Sequence, residues 1–125
     1  AAVYAASDLC LWPAVNEAYG MALLEAQAAG VPVVSCRLRG VPDVVTDGHT
    51  GLLVPGADMA ALADAVRGLL ADASWRQRLG AQAAQFVAGE RSVAQAAVRL
   101  QQVLPRRRLP RPQPDAATWA TEPLP

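Results

Sequence analysis

The sequence predicts an α/β domain, a parallel Rossmann-like half-sheet of about three strands with helices on both faces. Three observations predict it. Short apolar runs recur at Asp8–Pro13 (DLCLWP), Val31–Cys36 (VPVVSC) and Gly51–Pro55 (GLLVP), each of a length and composition suited to a buried strand. The segment between the first two, YGMALLEAQAAG, repeats its apolar residues at helical spacing through Met21, Leu23, Leu24 and Ala28. Strand, helix and strand within about thirty residues is the signature of a parallel crossover unit.

The elements follow in order. The opening AAVYAASD reads as the end of a helix, so further polypeptide is expected upstream. Gly30 is placed to end the helix that leads into the second strand. VPDVV, from Val41 to Val45, reads as a helical turn or two stopped at Gly48. Beyond the third strand Asp58 can cap a helix whose Leu62, Val66, Leu69 and Leu70 share a face, with Asp72 and Ser74 marking its end and the next start. A second helix is expected over Trp75 to Val87. A third, from Ser92 to Leu104, sets Val93, Ala96, Ala97, Leu100 and Leu104 on one side. Six of the ten prolines fall after Leu104, so residues 1–104 are expected to fold and 105–125 to form an extended, disordered Pro/Arg-rich tail.

Composition excludes several classes. At 125 residues there is room for one modest core, and a hydrophobic share of 53% with zero net charge describes a globular protein. All eleven basic residues are Arg, and four lie between Arg106 and Arg111, so the folded part is net acidic and no nucleic-acid partner is expected. Without Lys there is neither a Walker phosphate loop nor a Schiff base. Cys10, Cys36 and His49 are too few to fill a structural zinc site, and both cysteines are read as buried free thiols in a reducing compartment. No apolar stretch reaches the roughly 20 residues of a membrane span, and a cytoplasmic location is expected.

The chemistry concentrates in NEAYGMALLEAQAAGVPVVS. Glu17 precedes the helix and Glu25 lies in its second turn. In one continuous helix the two carboxylates would stand about 80° apart around the axis. If Gly20 makes a turn, Glu17 instead approaches the helix mouth from the loop. Either way two hydroxyl-gripping carboxylates flank a helix amino terminus, whose free N–H groups and dipole favour an anion. A phosphate on the backbone amides of Gly20, Met21 and Ala22, with each Glu holding hydroxyls, describes a nucleotide sugar. Two Glu eight residues apart are in most proteins solvated surface charges, so the spacing alone is weak.

Their surroundings strengthen it. YAASDLCLWP, NEAYGMALLEAQAAGVPVVS, RGVPDVVTDGHTGLLVPGAD and ALADAVRGLLADASWRQRLG together resemble, over residues 1–90, the E-x7-E signature region of the group-one retaining glycosyltransferases of GT-B fold. The resemblance implies two Rossmann-like domains with catalysis between them, this chain matching the carboxy-terminal part of the nucleotide-sugar-binding domain. It implies that the three strands are the fourth, fifth and sixth of a sheet ordered 3-2-1-4-5-6. Glu17 would be catalytic, stabilising the charged transition state of the transferred sugar. Glu25 would hold the ribose, and Tyr19, Gly20, Met21, Ala22, Arg39 and Gly40 would line the donor. The partners implied are a nucleotide-sugar donor as substrate, with no cofactor, and an acceptor of unspecified chemistry, free or at a membrane surface. The acceptor domain would lie upstream, and the fragment alone is expected to be inactive.

Departures and rivals are specific. Ala18 stands where the family commonly has Gly, and Arg39 where it often has the first of two glycines, so Arg39 either reaches a phosphate or obstructs the pocket. The Arg and Lys that grip the diphosphate in the family would lie upstream. There is no G-x-G-x-x-G after a strand and no G-x-S-x-G elbow, against nicotinamide, flavin and hydrolase chemistry. A Cys36–His49 pair has no supporting signature, and PRRRLPRP is read as solvated tail. The rival reading is a non-catalytic or vestigial nucleotide-sugar-binding module without turnover.

Overall fold

The strand β2 (Val33–Arg37) is apolar on both sides because both of its faces are covered. In the computed structural model, which describes residues 2–104, β2 lies between β1 (Cys10–Trp12) and β3 (Gly51–Pro55) in one parallel sheet. Cys10 stands opposite Val33, and Val33 opposite Gly51. The order β1-β2-β3 is that of consecutive strands joined by crossovers, as expected. The helices are α1 (Ala2–Ala5), α2 (Met21–Ala28), α3 (Val41–Val44), α4 (Met59–Ala71), α5 (Ala73–Glu90) and α6 (Val93–Val103). The expected tail, 105–125, lies outside the described residues.

Alternation along the strands divides the core into two layers. Val33 and Leu53 pack with Leu23, Ala26, Val41, Val44 and Val45 of the α2 and α3 side. Val34, Cys36 and Val54 pack with Leu62, Leu69 and Leu79 of the α4 and α5 side. Leu23, Leu69 and Leu79 are fully buried, each contributing about 1.5–3 kcal/mol of transfer free energy.

Several boundaries differ from the sequence reading for identifiable reasons. The second strand begins at Val33, two residues later than expected, because Val31 is spent on closing α2. Its N–H donates to Ala26 O at 3.0 Å and that of Gly30 to Gln27 O at 2.9 Å, the paired bonds of a Schellman motif, with Gly30 in the left-handed conformation at φ 76°. Asp72 serves as both the end of α4 and the cap of α5, accepting from Trp75 N at 2.8 Å, so Ser74 lies inside α5 rather than capping it. The Val93, Ala96, Ala97, Leu100 and Leu104 face of the last helix forms as expected but buries nothing among the described residues, with Val93 87% exposed. Both cysteines are free, but only Cys36 is buried, Cys10 being half-buried on the edge strand. Burial pushes both thiols up, helped at Cys36 by the Asp58 carboxylate.

Candidate functional site

The loop between β1 and α2 sets the site. Gly20 is the N-cap of α2 in a left-handed conformation, φ 92° and ψ 53°, which an L side chain rarely adopts. Its carbonyl accepts from Leu23 N at 3.0 Å and Leu24 N at 3.2 Å, which starts the helix, while its own N–H donates to Glu17 Oε1 at 3.0 Å. The Glu17 carboxylate is therefore latched to the helix mouth from the loop. Of the two arrangements the sequence allowed, the structure adopts the Gly20 turn.

The latch also changes the inventory of donors. Of the three amides expected to face an anion, that of Gly20 is taken by Glu17, whereas those of Met21 and Ala22 have no acceptor among the described residues. Free amides at the start of an eight-residue helix, aligned with its dipole, are a favourable setting for negative charge. Tyr19 and Met21 are exposed beside them.

A second loop closes over the first. The Leu38–Val41 turn is fastened by Val41 N to Leu38 O at 3.1 Å. Within it Gly40 lies so close to the β1–α2 loop that a Cβ built on it would stand 2.0 Å from Ala18 O and 3.2 Å from Tyr19 Cα. Gly40 has an ordinary φ of −80°, so the requirement for glycine is the close approach itself. Arg39 has φ 47°, the one positive-φ residue other than glycine among those described, in the position where the sequence comparison anticipated a glycine. Its side chain is exposed and makes no hydrogen bond or ion pair among the described residues. Gln27 locks the two halves from below, its fully buried amide donating to Leu23 O and Val44 O at 3.2 Å each and so tying α2 to α3.

Glu25 lies one turn further along α2, exposed, on a cavity of about 540 Å³ that Tyr4, Ala28 and Ala29 also line. Tyr4 Oη donates to Ala22 O at 3.2 Å. Partial burial, then Cys10 and Glu25, raise the Tyr4 phenol above its usual pKa. The sequence reading gave Tyr4 no role. Its signal was a single aromatic in an Ala-rich turn, which carries no spacing from which to infer a partner. The structure thus brings together Glu17, Gly20, Met21, Ala22, Tyr19 and Gly40, with Arg39 beside them and Glu25 on the adjoining cavity. Among the described residues no three His, Cys, Asp or Glu side chains gather into a possible metal site, and no helix is long and apolar enough to cross a membrane.

A parallel sheet covered on both faces, with the Glu17 carboxylate latched to the N-cap of its first crossover helix, defines a doubly covered α/β domain. Comparison with known proteins gives the class a name. The family of group 1 glycosyl transferases matches residues 1–72, and the chain belongs to it. Over 86 residues it is 45% identical to a D-inositol 3-phosphate glycosyltransferase of Corynebacterium diphtheriae, covering 69% of this chain and 20% of that protein. It therefore spans about a fifth of the length of the curated relatives it matches. Among solved structures, sucrose-phosphate synthase from Thermosynechococcus elongatus superposes with a TM-score of 0.74 at 34% identity, covering 80% of this chain and 25% of that one. HepE of Anabaena, in complex with UDP-glucose, superposes with a TM-score of 0.73 at 22% identity over 80% of this chain and 28% of its own, a likeness of fold. The fold is that of part of a GT-B glycosyltransferase.

Proposed function

We propose that the protein containing this chain transfers a sugar from a nucleotide-sugar donor to an acceptor with retention of anomeric configuration, and that residues 1–104 form part of its donor-binding domain. The observation that carries the reading is the latch of Glu17 on Gly20 N–H beside the two unpaired amides of Met21 and Ala22. The latch fixes a carboxylate next to the place where an anion would rest. In this reading the donor's phosphates lie at the Met21 and Ala22 amides, with Gly20 as the turn that presents them. Glu17 faces the transferred sugar, Tyr19 and Gly40 wall it, and Glu25 holds the ribose hydroxyls.

The chemistry follows from charge. As the bond from the anomeric carbon to the diphosphate oxygen breaks, positive charge develops on the sugar and negative charge on the leaving phosphate. A carboxylate held near the first and amide donors aimed at the second stabilise both more in the transition state than in the ground state. The transfer itself is neither an oxidation nor a reduction, so the reading calls for no redox cofactor, and a cytoplasmic location accords with a nucleotide-sugar substrate. The HepE complex with UDP-glucose supports a nucleotide sugar as the ligand class, and the D-inositol 3-phosphate glycosyltransferases support sugar transfer as the reaction.

Glu17→Gln in the full-length protein tests this, because it keeps shape and deletes charge. The expected result is a fall in kcat larger than any change in KM for the donor. A kcat near wild type, or a defect confined to KM, would remove Glu17 from the reaction. The anomeric proton signal of the product, read by NMR, tests retention independently.

A further inference from the structure

We infer that Gln27 is a positioning residue for the reaction proposed above, holding the Gly40 turn at the height where it meets the Glu17 loop. The inference rests on the sugar-transfer reading and adds to it a buried residue that acts through others. Gln27 lies in the last turn of α2 and is fully buried. Its Nε2 donates to two carbonyls, Leu23 O on its own helix and Val44 O at the end of α3, at 3.2 Å each.

Each of those carbonyls begins a path to the site. On the α2 side, Leu23 N donates to Gly20 O at 3.0 Å, and Gly20 N donates to Glu17 Oε1 at 3.0 Å. On the α3 side, Asp43, which precedes Val44, donates its N–H to Gly40 O at 3.1 Å, and Gly40 stands against Ala18 in the Glu17 loop. One buried amide thus joins the two segments whose approach forms the site. The helix α3 has four residues, so its last carbonyls find no partner within it. Val44 is buried, and Gln27 supplies the donor that its carbonyl requires away from water. The neighbouring carbonyl, Asp43 O, accepts from Arg91 at the end of α5, so the rear of α3 is held from two sides.

The hydrogen-bond balance separates position from stability. Gln27 makes two side-chain bonds but leaves its own Oε1 buried with no partner among the described residues. A hydrogen bond contributes little net stability, and an unpaired buried acceptor costs as much or more. Methionine would fill about the same space without that cost. What the amide adds over methionine is direction. It fixes the spacing of α2 and α3, and with it the gap between Gly40 and Ala18, which has no room for a single Cβ.

The test uses the full-length protein and the glucose, N-acetylglucosamine and mannose conjugates of UDP, ADP, GDP and TDP, following release of the nucleoside diphosphate. Gln27→Met is expected to lower kcat about tenfold, short of the roughly hundredfold for a misplacement of about 1 Å, with KM for the donor within about twofold and the denaturant midpoint unchanged. Combined with Gly40→Ala, it is expected to give a double variant no slower than Gly40→Ala alone, because both act through one approach. A kcat equal to wild type, or a defect confined to KM, would overturn the inference and leave the donor reading standing. So would losses that multiply in the double variant, which make the two residues independent, or a Gln27→Met protein that fails to fold, which makes Gln27 a residue of stability. A wild-type protein that releases no diphosphate from any of these donors would overturn both.

Discussion

Gly40→Ala is the substitution for which the structure gives the sharpest expectation. The Cβ it adds would lie 2.0 Å from Ala18 O and 2.8 Å from Ala18 C, backbone atoms that cannot rotate away. The two loops must then part by about 1 Å, a forced expansion of the kind that costs about 1–3 kcal/mol. Because φ at Gly40 is −80°, none of that cost is conformational. The displaced segment carries Glu17, and a misplacement of about 1 Å in a reacting group lowers turnover by roughly a hundredfold. Gly48→Ala is the control. At φ 72° and with no atom within 4 Å of the added Cβ, it costs about 1–2 kcal/mol through the backbone alone and displaces nothing at the site. Denaturant unfolding and initial rates of sugar transfer, measured on both variants of the full-length protein, separate the two effects. Both variants are expected to lose similar stability, but only Gly40→Ala to lose turnover. A Gly40→Ala protein with wild-type stability and rate would show that the two loops are not in contact in solution, and the site built from them would fall with it.

Two further expectations are simpler. Glu25→Ala should weaken donor affinity by about 1–3 kcal/mol, the range for hydrogen bonds to a charged group, with little change in kcat at saturation; unchanged affinity by calorimetry would separate Glu25 from the ligand. Asp58→Ala should cost about 1 kcal/mol in denaturant unfolding, since its Oδ1 caps α4 by accepting from Ala60 N and Ala61 N at 3.0 Å each, and should leave donor binding intact because α4 lies on the other face of the sheet from α2; a weakened donor would contradict that separation.

The sheet was legible in the sequence because its signals are local and redundant. Val33 and Val34, with Leu53 and Val54, are apolar in succession, which a strand buried on both faces requires, and Gly30 marks the left-handed close of α2. Asp58 and Ser92 cap as their residue types suggest. What the sequence could not give is whatever depends on approach between distant segments. The pairing of Glu17 with Gly20 N–H had a competing helical alternative, settled by Gly20 taking φ 92°. Gly40 stands in the sequence only as a residue expected to line the donor; its close approach to Ala18, 22 residues earlier, is not readable there. The exposure of Val93 and Leu100 was unreadable for the same reason, since periodicity defines a face and not what covers it.

The same distinction decides how the 125-residue chain should behave alone. Among the described residues β1 pairs on one side only, so its other edge presents unpaired N–H and C=O groups. Leu11 is 46% exposed on that edge and, with Met59, Leu62, Ala63, Val66 and Arg67 of α4, lines an apolar hollow of about 350 Å³. Edges are normally protected by lysine, by a bulge or by shortness; the chain has no lysine, and within Cys10–Trp12 only shortness applies. The isolated chain is therefore expected to self-associate or remain partly unfolded and to transfer no sugar. Its apparent mass in light scattering should rise with concentration, and Leu11→Glu should reduce that rise by placing a charge in the hollow. Hydrogen exchange locates the cause: Cys10 N–H is bonded toward β2, so an open edge predicts fast exchange at the alternate amides of Leu9 and Leu11, whose N–H groups point away from it. A sharply melting monomer with slow exchange at both amides would mean that the edge is already covered, and the proposal that β1 is an inner strand of a larger donor-binding sheet would have to be abandoned.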